Sequence, residues 1–182
     1  MQSAHNDPLL LAGKIITFTL QGFVGLGAAT LLIVLPFVTI FSGDLAEGFA
    51  DGSGINVADL PTLPVVGLLA IAFAILAALF VFFGKLRAII DTVGSGDPFA
   101  PANADRLSLM AWLLLATQIL TWPLIALALV VAEWAQELDD IDLSLELDGF
   151  DLTGILMVLT LFILARVFRH GAAMREDLEG TV

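Results

Sequence analysis

"LPVVGLLAIAFAILAALFVFF", residues Leu63–Phe83, decides the fold class. The run holds twenty-one residues and no charged side chain. As a helix rising about 1.5 Å per residue it is about 30 Å long, the thickness of the hydrocarbon core of a bilayer. Three further stretches have the same character: Ile15–Phe41, Leu107–Val131 and Leu152–Phe168. The last is the shortest and carries Arg166. The sequence therefore predicts an all-α integral membrane protein, a four-transmembrane-helix bundle forming one domain over residues 1–182. The first run is too long for the apolar segment of a signal peptide and has only Lys14 before it, so a retained helix is expected.

Composition agrees. Of 182 residues, 59% are hydrophobic and 14% charged, against about a quarter charged in soluble domains. Mean hydropathy is +0.98. Cysteine is absent, which removes disulfide and thiolate chemistry. Taken as one number, the net charge of −12 implies repulsion from nucleic acid and anionic lipid, and direct nucleic-acid binding is not expected; the number misleads until the charges are mapped onto sides of the membrane.

The charges sort by side of the membrane. Every base (Lys14, Lys85, Arg87, Arg106, Arg166, Arg169, Arg175) lies before the first span, between the second and third, or at the end of the fourth. By the positive-inside rule, both termini and the Lys85–Arg106 loop are expected to be cytoplasmic. The outer segments carry Asp44, Glu47, Asp51 and Asp59, then Glu133, Glu137, Asp139, Asp140, Asp142, Glu146, Asp148 and Asp151. Those twelve account for the whole net charge of −12, because the remaining seven acids balance the seven bases. The spans themselves hold no acid.

Helix-end signals fit this layout. Asp7-Pro8 reads as a start, Thr62 as a cap followed by Pro64, and Asn103 as the cap of the third helix. Pro36 should bend the first helix, and Trp134 suits the outer interface. "DDIDLSLELDG", residues 139–149, alternates with period two, which predicts a strand pairing with residues 54–58 in a small acidic cap. It is not an EF-hand, since Leu145 stands where the loop needs glycine.

"GSGDPFAPANADRLSLMAW", residues 94–112, is the polar insert between spans two and three. Gly94 and Gly96 stop one helix, Asp97-Pro98 and Ala100-Pro101 impose turn geometry, and Asn103 restarts a helix. No Gly-Lys-Ser/Thr follows, so it is no phosphate loop. Phe99, alone among small polar residues, is expected to plug back between the inner helix ends.

No constellation for catalysis, cofactor or metal binding is present in the sequence. His5 and His170 are isolated, and Arg166 can snorkel to the inner surface. Gln21 and Gln118 are the costly polar groups of the spans, expected to form interhelical hydrogen bonds or, alternatively, to line a polar path. Gly22, Gly25, Gly27, Ala28 and Ala29 make one side of the first helix small, suited to close contact within the bundle or between copies in a homo-oligomer. Leu86, Ile89, Ile90 and Val93 recur at helical spacing, and Met174 and Leu178 form a second stripe after Val167. These stripes either pack on each other and on lipid or form a cytoplasmic docking surface.

"GDPFAPANADRLSLMAWLLL" and "LTLFILARVFRHGAAMREDLEGTV" resemble an uncharacterised bacterial family of four-span membrane proteins, a domain-of-unknown-function family. The matching positions are Gly96, Pro98, Phe99, Asn103, Arg106 and Leu107, then Phe168, Gly171, Thr181 and Val182. The resemblance implies a multi-pass protein of the bacterial inner membrane and a neighbouring gene for a small helix-turn-helix regulator of the Xre/Cro type. Two function classes follow: a non-enzymatic sensor or anchor holding that regulator, or a small transporter or channel subunit.

The topology has a direct test. A reporter active only outside the cytoplasm should work when fused after Asp51 or Asp142 and stay silent after Asp97 or Val182; activity after Asp97 would reverse the orientation.

Overall fold

A computed structural model of the protein describes residues 8–53, 61–138 and 151–179, with 42–53, 137–138 and 179 as backbone only. Four helices follow in order: α1 (Pro8–Ser53), α2 (Thr62–Gly94), α3 (Pro101–Leu138) and α4 (Leu152–Glu179). All four are long and apolar enough to cross a membrane. The protein is a four-helix membrane protein, and no strand occurs among the described residues. The strand expected over 139–149, its pairing segment 54–58, and Thr181 and Val182 lie outside them.

The helices outrun the spans read from hydropathy, and their ends correct several expectations. α1 contains Pro36, departs from helical geometry at Phe41 (φ −105°, ψ 15°), then continues to Ser53. The break falls where the apolar run gives way to Ser42-Gly43-Asp44, so Asp44, Glu47 and Asp51 stand on a helical segment instead of in a loop. At the start of α2, the Pro61 carbonyl accepts from Val65 N–H at 3.0 Å. Pro61 therefore holds the capping position and Thr62 is the first helical residue. α4 opens on Asp151, whose Oδ1 accepts from the Gly154 N–H at 2.9 Å while its carbonyl accepts from Ile155 N–H at 3.2 Å. That is an N-cap in its preferred chemistry.

The α2–α3 turn is a Schellman motif. Gly96 N–H donates to the Val93 carbonyl and Asp97 N–H to the Thr92 carbonyl, at 3.1 and 3.0 Å. The closing residue must enter the left-handed region, and Gly96 does so with φ +86°. α3 then begins at Pro101, whose missing N–H costs nothing in a first helical turn. Asn103 is thus the third residue of α3, not its cap, and its side chain is fully buried.

The chain divides into two compact units. One comprises residues 1–25, 77–118 and 151–182; the other comprises 26–76 and 119–150. In the first, ion pairs bring the start of α1, the end of α2, the start of α3 and the end of α4 to one basic end. Lys14 meets Asp91 at 2.7 Å, Arg169 meets Asp105 at 3.3 Å, and Arg175 pairs with Asp97. Ile89, Leu107, Met110 and Ala165 form the core there, with Phe82, Leu86, Val93, Leu161 and Phe168 packed on it. In the second unit, α1 meets α2 where Gly27 faces Leu76, and α2 meets α3 where Gly67 faces Leu127. Its one buried residue among those described is Ala132. Ile33, Ile40 and Trp122, and in the first unit Ile15, Phe23 and Ile163, are exposed, as lipid contact requires.

Gly96→Val would place a β-branched residue in the left-handed region. It should cost about 1–2 kcal/mol, read as a lowered melting temperature in detergent, whereas Ser95→Ala beside it should melt close to wild type.

Candidate functional site

The functionally distinctive residues of the first unit gather at its basic end, and the loop that the sequence singles out organises them. Asn103 Nδ2 donates to Thr92 Oγ1 at 2.8 Å and to the Pro98 carbonyl at 2.9 Å. Its Oδ1 accepts from Arg106 Nη1 at 2.8 Å. The same Arg106 nitrogen reaches the Ala88 carbonyl at 3.2 Å. Thr92 has one hydroxyl proton, and its shortest acceptor is the Ile89 carbonyl at 2.8 Å. Thr92 Oγ1 thus donates into α2 and accepts from Asn103. Every polar atom of the buried amide is engaged, and no buried side-chain polar atom among the described residues lacks a partner. Gly96, Pro98, Asn103 and Arg106 therefore form a latch closing α2 onto α3. Thr92 was not singled out in the sequence, because nothing in a lone threonine near a helix end marks it as an amide's partner.

Phe99 is directed by this latch toward α4. Its ring lies 5.4 Å from that of Phe168. It also covers Gly171, where a Cβ would come within 2.7 Å of the ring. At 42% exposure the ring lies on one face of α4, rather than plugged between helix ends as expected. The ring, with Arg166, Val167, His170, Gly171 and Met174, lines an open groove of about 480 Å³.

The α2 stripe lies within the packing of the first unit, the first of the two alternatives its spacing allowed. Ile89 is buried, and Leu86 and Val93 pack on the core it belongs to. Ile90 is half-buried, its Cδ1 3.6 Å from the Cβ position of Gly13 on α1. The latch folds α3 over this face of α2, so the stripe is internal packing. Met174 and Leu178 on α4 remain exposed, at 53% and 72%.

Both span glutamines make interhelical contacts. Gln21 Nε2 donates to the Phe80 carbonyl at 3.4 Å, beside Gly84. Gln118 Nε2 donates to Asp151 Oδ2 at 2.7 Å. Gln118 lies twelve residues beyond Arg106, about 18 Å along the helix. The contact thus brings a carboxylate alongside the middle of the third span, where the sequence places no acid. A signal existed: aspartate directly before an apolar run is an N-cap pattern. The fold alone brings that cap to Gln118.

Arg87 of the same unit packs on an aromatic ring of α1, lying over Phe18 at 5.3 Å. Among the described residues no three His, Cys, Asp or Glu side chains gather as metal ligands.

Residues 41–182 match the model of a family described as "Protein of unknown function (DUF2975)". The match takes in both the loop and the tail on which the family resemblance rests. No curated protein and no solved structure matches the chain.

Asn103→Ala would leave the Pro98 carbonyl and Arg106 without their buried partner. A loss of about 2–4 kcal/mol is expected, measured as a large fall in detergent melting temperature, with Asn103→Asp intermediate because it keeps the acceptor for Arg106.

Proposed function

The chain belongs to the DUF2975 family, and on that premise we propose that it is a non-enzymatic protein of the bacterial inner membrane that senses or anchors, holding a small cytoplasmic helix-turn-helix regulator at its basic end. One observation carries this. α4 continues ten residues beyond Arg169 to Glu179, bearing Met174 and Leu178 exposed on one face. A stripe of that kind on a solvated helix end is what a protein partner's apolar groove accepts. The tail is held in place by Arg175 bound to Asp97 on the loop, so a partner would meet a preformed surface and lose little to ordering. The kind of partner comes from the family resemblance, with its neighbouring regulator gene.

The second class, a small transporter or channel subunit, is favoured by a different observation: the Gln118–Asp151 pair beside the middle of α3. Ionisable groups at that depth are functional more often than not. Flux into liposomes that falls with Asp151→Asn or Gln118→Leu would move this reading ahead.

For the anchor reading, the full-length protein is captured with the regulator encoded beside it. Met174→Glu and Leu178→Glu should each weaken retention by at least tenfold, about 1.4 kcal/mol or more. Arg87→Gln, away from the stripe, should leave it unchanged. Both glutamate variants must remain monodisperse. Equal retention by the folded variants, or none by wild type, would discard the anchor reading.

A further inference from the structure

Four bases of the first unit are already satisfied by partners. Lys14, Arg169 and Arg175 have carboxylates, and Arg106 is held by Ala88 and Asn103. Arg166 and His170 have no such partner among the described residues. They stand four residues apart on α4, on one face of the helix, and both line the groove beneath Phe99.

Arg166 is the base that most needs a counter-ion. A guanidinium stays charged under all ordinary conditions. This one falls within the apolar run Leu152–Phe168, two residues from its end. Inside hydrocarbon an unpaired charge is costly, so the side chain must extend toward the headgroup layer. The acids on neighbouring elements are occupied, Asp105 by Arg169 and Asp97 by Arg175. Glu176 and Asp177 lie ten and eleven residues further along α4, about 15 Å away. At that level a bilayer offers lipid phosphate as a counter-ion.

The walls match the rest of such a molecule. Phe99 and Val167 offer apolar surface, and Gly171 lets the Phe99 ring lie close against α4. We propose that this groove is a binding site for an anionic phospholipid. The Arg166 fork takes two phosphate oxygens, the His170 ring N–H takes a third, and the glycerol and first acyl carbons lie against Val167 and the face of Phe99. Anionic lipid is favoured over zwitterionic lipid because the site contributes positive charge and no carboxylate to meet a choline or ethanolamine. The loop latch then has a consequence beyond packing, since it sets the wall of a lipid site. This proposal does not rest on the regulator reading.

The test uses the full chain purified in a neutral detergent. Mixed micelles containing phosphatidylglycerol are titrated in, with phosphatidylcholine micelles and inorganic phosphate as separate arms. Melting temperature and native mass spectrometry are the readouts. Phosphatidylglycerol should raise the melting temperature of wild type and remain bound in the mass spectrum, while phosphatidylcholine and phosphate should do neither. Arg166→Gln should weaken phosphatidylglycerol binding at least tenfold, His170→Gln and Phe99→Ala several-fold, and Lys85→Gln, outside the groove, not at all. Should Arg166→Gln fail to fold, Arg166→Lys keeps the charge without the fork and should still lose several-fold. Binding by folded Arg166 and His170 variants equal to wild type would overturn the proposal. So would an equal response to phosphatidylcholine, which would mean general lipid contact, or to phosphate alone, which would mean an anion site with no lipid specificity.

Discussion

The basic end of this protein depends on one buried amide. Asn103 is fully buried, yet each of its polar atoms has a partner: Thr92, the Pro98 carbonyl and Arg106. An amide buried without partners would cost several kcal/mol, on the order of 2–7. With them it acts as a clamp that accepts one register of α2 against α3. Leu107, Met110 and Ala111 are consequently pressed into the core one or two turns later. The loop carbonyl at Pro98 is pinned, which aims the next residue, Phe99, at α4. Gly171 completes the arrangement by leaving room for the ring.

This clamp matters more in a membrane than it would in water. Lipid tails are as apolar as leucine, so there is little hydrophobic force to press one apolar helix on another. Packing, interhelical hydrogen bonds and ion pairs must do that work. In the first unit these are dense: three ion pairs, the Asn103 network, Gln21 on the Phe80 carbonyl and Gln118 on Asp151. All but one of the buried residues among those described belong to that unit. The ion pairs are more than two-fifths exposed on both sides, so each contributes little alone. Their effect is geometric, holding α1, α4 and the loop in register around the clamp.

The same geometry explains why surface candidates had to be reassigned. On α2, the stripe from Leu86 to Val93 looks like an unpartnered face until α3 is folded over it by the latch. On α4, Met174 and Leu178 stay exposed. Arg166 and His170 acquire meaning only once Arg169 and Arg175, on the same helix, are seen to have claimed the nearby acids. Family membership says what the chain belongs to and leaves its activity open, so the functional argument rests on which groups remain unsatisfied.

The amino-acid sequence by itself determined the class of the protein. Twenty-one uncharged apolar residues at Leu63–Phe83 admit few other outcomes, since a helix satisfies every backbone group internally where no water can. It also marked the loop at Gly96 as a helix stop, because only the closing residue of that turn demands a left-handed conformation. Which polar residues meet was beyond it. Asn103 has the pattern of a cap and serves as a clamp, because Pro101 starts the helix two residues earlier and turns the side chain inward. Asp151 looks like one more outer acid and instead reaches Gln118 beside the middle of α3. Hydropathy and local signals follow the order of the chain, whereas these pairings join residues 11 and 33 positions apart, brought together by helix packing. Tertiary structure alone decided them, and with them the shape of the groove at Arg166.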